Sequence, residues 1–275
     1  MDENSGVFKS GSLFYKHHVT EAPREEVYSI HTHNTYELIY FVDGDASHVI
    51  ENKRYKLRRG DLMIVRPLKY HILKIDSPKD YERYDILFDE ADIGMSPELL
   101  VPEGTEVVNL SKNRIAEGVF KRLDYYNEVL PREKFGEMLR LLIKELLINV
   151  SVEREAREED FSVGNGTVSE ALRIINENLF TISGVGEVAS RLFVSESYLF
   201  RAFKKELRAT PKKYINDKRL LAAQSFIKMG DSPIVAAEKC GYRDYTAFYR
   251  AYVKFFGNTP SFDGQRVLKD GQREG

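Results

Sequence analysis

The first ninety residues carry short runs in which apolar and polar positions alternate. The clearest run is residues 36–42, YELIYFV, which is rich in aromatic and β-branched side chains. Turn-forming stretches at 43–45, 51–53 and 59–61 separate such runs. Alternation with a period of two is typical of strands that bury one face. Several short strands at this spacing predict an antiparallel β-barrel or jelly roll within residues 1–100.

After Pro102 the spacing of apolar residues becomes helical, first in residues 111–129 and again in 131–150. The second stretch carries an apolar stripe made of Phe135, Leu139, Leu142, Ile143, Leu146, Leu147 and Val150. Such a stripe can pack on a sheet or pair with its counterpart in a second chain, and an ordinary core helix would also show it. Because the stripe is wider than one contact needs, we predict that residues 101–150 form a helical dimerisation segment and that the chain is a homodimer.

A charged and then glycine-rich stretch at 151–166 predicts a linker between two domains. The remainder, residues 167–275, has helical spacing and contains an internal repeat. At an offset of 49 residues, Arg201-Ala202-Phe203 returns as Arg250-Ala251-Tyr252, and Thr210-Pro211 returns as Thr259-Pro260. We therefore predict an all-α domain built from two copies of one helical unit.

Each copy has the features of a helix-turn-helix unit. In the first copy Ser195 is placed to cap the N-terminus of the second helix, and Leu199 and Phe203, four residues apart, are placed to bury it. The second copy has equivalent residues: Gly241 at a left-handed turn, Asp244 at the cap, and Phe248 and Tyr252 on the buried face.

With those faces buried, a set of residues points outward on each second helix. These residues are predicted to contact DNA: Ser197, Phe200, Arg201 and Lys204 on the first, and Tyr245, Thr246, Ala247, Tyr249 and Arg250 on the second. An arginine can bridge O6 and N7 of guanine in the major groove, and an aromatic ring can touch a thymine methyl group. The alternative is that Phe200 and Tyr249 are core residues of a plain helical bundle, but their recurrence at equivalent positions favours DNA contact.

Charge and composition agree with this division of the chain. From Thr167 onward there are 18 Lys+Arg against 12 Asp+Glu, whereas the rest of the chain has 23 against 31. A basic end on an acidic body favours contact of the C-terminal part with a polyanion. There is no long apolar run and no N-terminal signal pattern, so we expect no membrane contact. A single cysteine, Cys240, favours the reducing cytoplasm.

The run from Thr167 to about Arg266 resembles the DNA-binding domain of the AraC/XylS family of transcription regulators. The matching stretches are 192–205, LFVSESYLFRAFKK, then 210–215, TPKKYI, then 237–242, AEKCGY, and 257–260, GNTP. The resemblance implies that one long helix, at about 211–229, joins the two units, and that they enter adjacent major grooves of double-stranded DNA. A regulator of this kind would also contact RNA polymerase if it is an activator.

This sequence departs from the family pattern at three places. Arg208 stands where a helix-ending glycine is usual, Gly184 and Gly186 weaken the first short helix, and the residues after Pro260 lack the usual closing pattern. We therefore expect the first helix-turn-helix unit to be the less rigid of the two.

Residues 31–44 resemble the first motif of the cupin fold, and residues 60–71 resemble the second. On this resemblance the side chains of His31, His33, Glu37 and His71 converge inside the barrel, and the first three share one strand parity. We predict that these four residues bind a small-molecule effector, such as a sugar or a related metabolite. A divalent transition metal at the same four residues and purely structural hydrogen bonding are the alternatives. Lys69 and Ile75 replace the usual residues of the second motif, which weighs against the metal.

Two other classes of protein fit the sequence less well than a regulator does. A metal-dependent cupin enzyme would leave the helical repeat without a purpose, and the sequence has no phosphate-binding glycine loop, paired zinc cysteines or nucleophile elbow. An architectural protein that coats DNA would show no sequence preference, whereas an arginine on each recognition helix favours base readout. We therefore predict a sequence-specific, effector-controlled transcription regulator and no enzymatic activity.

Overall fold

The computed structural model describes residues 6–23, 30–51, 53–152, 161–162 and 166–264. Contacts between Cα atoms divide the chain into two compact units. The first contains residues 1–31 and 35–162, and the second contains 163–275, with which 32–34 are grouped. Much of the predicted linker, at 153–160 and 163–165, lies outside the described residues.

The first unit is built on two antiparallel sheets. Its strands are β1 (Phe8–Ser10), β2 (Leu13–Thr20), β3 (Tyr36–Asp43), β4 (Ala46–Ile50), β5 (Lys53–Lys56), β6 (Asp61–Val65), β7 (His71–Ile75), β8 (Tyr81–Phe88), β9 (Val107–Asn109) and β10 (Phe161–Ser162). Six strands form one sheet in the order β1-β2-β8-β3-β6-β9, and four form the other in the order β10-β5-β4-β7. The predicted antiparallel β-fold of the N-terminal part is confirmed.

Strand β3 lies in the middle of the larger sheet and is buried on both faces. Ile39 and Phe41 belong to a core cluster that also contains Ile50 and Tyr55 of the smaller sheet. Tyr40, on the opposite face, stacks on Phe120 with 4.2 Å between ring centroids. Because a strand that is buried on both sides is apolar at nearly every position, residues 36–42 alternate only weakly.

Helices cover the outer face of the larger sheet. They are α1 (Glu90–Ile93), α2 (Arg114–Val129) and α3 (Arg132–Val152), with a 3-10 turn at Pro97–Leu99. The segment 101–150 is not wholly helical, because its residues 107–109 form β9 and extend the larger sheet.

The apolar stripe of α3 packs inside the first unit. Phe135 lies edge-on to Phe8 and Tyr15, with ring centroids 4.9 and 5.6 Å apart. All seven stripe residues are buried in the core between the helices and the sheet. The stripe cannot also be the surface that joins two chains, so its assignment as a dimer seam is wrong. Helical periodicity showed which face of α3 is buried, but not what covers it.

The second unit is all-α. Its helices are α4 (Gly166–Glu177), α5 (Val185–Arg191), α6 (Glu196–Leu207), α7 (Pro211–Lys228), α8 (Pro233–Lys239) and α9 (Tyr245–Phe256). The long helix α7 matches the connecting helix expected at about 211–229. Arg219 on α7 donates hydrogen bonds to the carbonyl oxygens of Leu179, Ile182 and Gly241, at 2.8, 2.6 and 3.4 Å. These bonds join α7 to the loop that precedes α5 and to the turn between α8 and α9. Among the residues that the structure describes, no helix is both long and apolar enough to cross a bilayer.

Candidate functional site

The first helix-turn-helix unit consists of α5, a tight turn and α6. The side chain of Ser195 accepts a hydrogen bond from the backbone N–H of Tyr198 at 3.1 Å, which confirms the predicted cap. Leu199 and Phe203 are fully buried, so the buried face of α6 is the one predicted. The opposite face of α6 is therefore left open to solvent.

The second helix-turn-helix unit, formed by α8 and α9, repeats this arrangement. Asp244 accepts hydrogen bonds from the backbone N–H groups of Thr246 and Ala247, at 2.9 and 3.2 Å. Phe248 and Tyr252 are fully buried. The cap and the two aromatic anchors stand where the sequence repeat predicts them.

All nine residues predicted to contact DNA are exposed. On α6 they are Ser197, Phe200, Arg201 and Lys204, and on α9 they are Tyr245, Thr246, Ala247, Tyr249 and Arg250. Phe200 is 47% exposed and Tyr249 is 39% exposed. Large aromatic rings this open to solvent are not core residues of a helical bundle, so that alternative does not describe the structure.

The turns of the two helix-turn-helix units differ at a left-handed position, a difference that was not predicted from the sequence. Gly241 follows α8 with φ +79°, and a Cβ there would lie only 2.3 Å from the carbonyl oxygen of Phe180. Phe193 holds the equivalent place after α5 with φ +55°, and it is 96% exposed. The left-handed conformation is costly for a residue with a side chain. The repeat offset of 49 residues aligns Gly241 with Leu192, because the second turn is one residue longer than the first, so the sequence repeat did not show that Phe193 takes this conformation.

A second candidate site is a cavity of about 330 Å³ between the two sheets of the first compact unit, which contains residues 1–31 and 35–162. Alternate residues of each bordering strand point into it. They include His18 on β2, Glu37 on β3, His48 on β4, His71 on β7, and Arg83 and Asp85 on β8, together with His31 beside β7. The cavity is unusually polar for the interior of a β-sandwich.

Three of the four residues predicted to bind an effector meet at one wall of this cavity. His71 Nε2 lies 2.9 Å from Glu37 Oε2. The rings of His31 and His71 are 4.1 Å apart, and the backbones of these two residues are joined by a pair of hydrogen bonds of 3.1 and 3.0 Å. One potential metal-ligating atom from each of His31, Glu37 and His71 lies within 4.8 Å of the others, whereas His33 is grouped with the second compact unit.

The other polar residues of the cavity were not predicted from the sequence. His48 is buried, and this burial holds the pKa of its imidazole well below the usual value, as does the neighbouring charge of His71. Facing it, Asp85 Oδ2 lies 2.8 Å from His18 Nε2 and accepts a hydrogen bond of 2.9 Å from Arg83 Nε. Strand parity could have selected these residues, but only once the strand ends and the pairing were known.

Two family models match this chain. Residues 19–161 match the AraC-like ligand binding domain, and residues 188–263 match a helix-turn-helix domain. The first match alone spans more than half of the chain. The chain belongs to the AraC family of transcription regulators.

Curated relatives of this AraC-family regulator include the HTH-type transcriptional activator RhaR from Salmonella dublin and from Salmonella typhi. Each is 24% identical over 260 residues, which is 88% of this chain and 90% of the relative. Among solved structures, wild-type ToxT from Vibrio cholerae strain SCE256 with a bound unsaturated fatty acid is 12% identical. It covers 92% of this chain and 94% of its own, with a TM-score of 0.39.

The RhaR relatives and the AraC family are transcription regulators and not enzymes, as predicted. The protein is thus a DNA-binding regulator in which an N-terminal effector-binding domain precedes a helix-turn-helix domain.

Proposed function

We propose that α6 and α9 enter two successive major grooves of one DNA site, and that a small molecule in the cavity controls this binding. The observation that carries the DNA part is the equivalence of Arg201 and Arg250. They stand at the same position of the two repeats and both are exposed on the face opposite the buried aromatics. A side chain on that face of a recognition helix can reach base edges.

The nine exposed residues of α6 and α9 supply complementary chemistry. The guanidinium groups of Arg201 and Arg250 can each make two hydrogen bonds to a guanine, and Phe200 and Tyr249 offer apolar contact to thymine. Lys204 can neutralise a phosphate, which contributes affinity without sequence preference.

Replacement of Arg250 tests the base-contact proposal. We expect Arg250→Ala to weaken binding of the preferred site by about 1–3 kcal/mol and to relax the preference at one base position, because the guanine contact is lost. Lys228→Ala is the matched control, since it removes an exposed cation in the last turn of α7, outside both recognition helices in the sequence. Quantitative gel-shift assays on a set of single-base variants of the site measure both effects.

Two outcomes would contradict the assignment of Arg250. One is a loss of affinity that is equal for all base variants, which indicates a phosphate contact. The other is a loss no larger than that of Lys228→Ala. Arg201→Ala, tested in the same way, should relax the preference at a different base position.

We further propose that the effector binds at His31, His33, Glu37 and His71. A polar cavity of this size suits a small hydrogen-bonding metabolite such as a sugar. A screen of sugars and sugar acids with a reporter promoter identifies the inducer. His71→Ala should abolish the response of that promoter to the inducer. Gel shifts should show that the variant still binds DNA without an effector. A His71→Ala protein that responds normally would place the effector elsewhere.

The proposal extends to partners and domain limits. Because the RhaR relatives are named transcriptional activators, we propose that this protein activates transcription and contacts RNA polymerase, in the cytoplasm. The domains proposed are an effector-sensing barrel at 1–100, a mostly helical segment at 101–150 that also contributes β9 to the larger sheet, a linker within 151–166 and a DNA-binding domain at 167–275. Within 151–166, residues 151–152 end α3 and residues 161–162 form β10. A homodimer remains part of the proposal, but through a different surface from the stripe of α3.

A further inference from the structure

We infer that Asp263 is a positioning residue for the second recognition helix, because its carboxylate fixes the orientation of α9 against α7. This inference rests on the proposed function, in which side chains of α9 contact base edges.

The carboxylate of Asp263 is buried and accepts hydrogen bonds from three side chains. Oδ2 accepts from the hydroxyl of Tyr252 on α9 at 2.5 Å and from Nε2 of Gln224 on α7 at 2.9 Å. Oδ1 accepts from Nδ2 of Asn258, which follows the end of α9, at 2.8 Å. Burial and then the bond to Asp263 raise the pKa of Tyr252, so its hydroxyl stays protonated and donates. One carboxylate therefore joins α9, the residues after it and α7.

The internal repeat carries different chemistry at the same positions of the first unit. At the offset of 49 residues, Tyr252, Asn258 and Asp263 correspond to Phe203, Ala209 and Tyr214. In the first unit the rings of Phe203 and Tyr214 are fully buried and meet edge to face, with centroids 6.2 Å apart. A ring contact in one copy is thus replaced by hydrogen bonds to a carboxylate in the other. Asp263 lies after Pro260, where the sequence departs from the family pattern.

The orientation of α9 depends on this contact more than that of α6 depends on any one residue. Two residues of α9 are buried, Phe248 and Tyr252, whereas four residues of α6 are buried. Apolar contacts are non-directional, but a hydrogen bond is directional, so the bond of Tyr252 resists rotation of α9 about its own axis.

Arg250 lies two residues before Tyr252 on α9. Successive residues of an α-helix are about 100° apart around its axis, so these two side chains point to nearly opposite sides. A rotation that releases Tyr252 from Asp263 therefore swings the guanidinium group of Arg250 across the base edges. Retention of Tyr252 sets the guanine contact proposed for Arg250.

The competing explanation is that Asp263 stabilises the second compact unit without directing α9. Both explanations predict lower stability when the acceptor is removed, because a buried hydroxyl and two amide groups lose their partner. They differ in where base preference is lost. General destabilisation weakens binding at every position, whereas a rotation of α9 changes only the part of the site that α9 reads.

Gel shifts of the full-length chain on single-base variants of its preferred site separate these explanations. Arg250→Ala and Arg201→Ala first identify the bases read by α9 and by α6. We expect Asp263→Ala to weaken binding about tenfold and to relax the preference only at the bases read by α9. Asp231→Ala is the matched control, because it removes a carboxylate of the same compact unit that pairs with Lys239 and lies outside α9. It should bind as the wild type does.

Two conservative variants keep the test sound if Asp263→Ala does not fold. Tyr252→Phe removes the donor on α9 but keeps the ring, and it should reduce the preference at the bases read by α9 about threefold. Asp263→Asn should keep the wild-type preference, because its carbonyl oxygen still accepts from Tyr252 and Gln224. Its amide can donate to Oδ1 of Asn258 once that side chain turns over, and Oδ1 is a buried atom with no partner among the described residues.

Hydrogen–deuterium exchange of the DNA-free chain gives a second readout. Tyr252→Phe should speed exchange of the α9 amides and leave those of α6 unchanged, because α9 loses an anchor. Unchanged α9 exchange, or an equal loss of preference at the bases read by both helices, would overturn the inference.

The two readouts also separate this failure from failure of the proposed function. If Arg250→Ala relaxes a base position but Tyr252→Phe relaxes none, only the role of Asp263 is refuted. If Tyr252→Phe speeds exchange in α9 but neither arginine variant relaxes any base position, only the DNA-contact proposal is refuted.

Discussion

Two residues of the first helix-turn-helix unit hold backbone conformations for which the second unit uses glycine. Phe193 has φ +55° where Gly241 has φ +79°, and Arg208 ends α6 with φ +53° where Gly257 ends α9 with φ +76°. The left-handed conformation costs a residue with a side chain about 1–2 kcal/mol. The first unit therefore stores strain that the second does not.

Relief of this strain should stabilise the protein. We expect Phe193→Gly to raise the free energy of unfolding by up to about 1 kcal/mol, because the strain exceeds the entropic cost of the added glycine. Little burial is lost, since the ring is almost fully exposed. Urea unfolding of the full-length chain measures the change.

Gly241→Ala is the matched comparison in the second unit, where an added Cβ would clash with the carbonyl of Phe180. It should lower stability by about 2 kcal/mol or more. A Phe193→Gly protein that is less stable than the wild type would show that the ring makes a stabilising contact, and it would contradict this explanation of the turn.

Among single residues, the sequence predicted the roles that depend only on near neighbours in the chain. A cap such as Ser195 bonds to a backbone N–H three residues on, so spacing alone locates it. His48 and Asp85 could not be located in this way. They belong to strands that are far apart in the sequence, and only the pairing of the sheets brings them to one cavity.

At the scale of single elements, α3 has two apolar faces. One is the stripe in the core, and the other consists of Leu141, Ile148 and Val152, which are 59%, 52% and 69% exposed. Leu141 and Ile148 are seven residues apart, two turns of one face, so they can meet the same face of a second copy. Periodicity predicted an apolar helix here but assigned the wrong face to the partner.

The exposed face of α3 predicts where a homodimer would form. We expect Ile148→Glu to shift the chain towards monomer at micromolar concentration, because it places a charge in an apolar contact. Leu99→Glu is the control, since Leu99 is an exposed apolar residue of the same unit in the 3-10 turn. Sedimentation velocity measures the association state.

If the wild-type chain is monomeric at this concentration, the proposal of a homodimer is wrong. A dimer that Ile148→Glu leaves intact would place the interface on another surface.

At the scale of the whole molecule, the order of domains was predictable because each has its own periodicity: two residues in the sheets, and helical spacing with a repeat of 49 in the C-terminal part. The residues that line the cavity could be predicted only in part. The motif residues His31, Glu37 and His71 were found from the sequence, whereas the facing pair of Arg83 and Asp85 depends on the register of β8 against its neighbours.

In the proposed function, the two helix-turn-helix units read one DNA site together. The full-length chain can be used to select preferred DNA from a random library. Footprinting of the selected DNA at single-base resolution then tests whether both units bind one site. We expect protection of two major-groove segments on one face of the duplex, with their centres about one helical turn, or ~34 Å, apart. Protection of a single groove segment, or the absence of any enriched sequence, would contradict it.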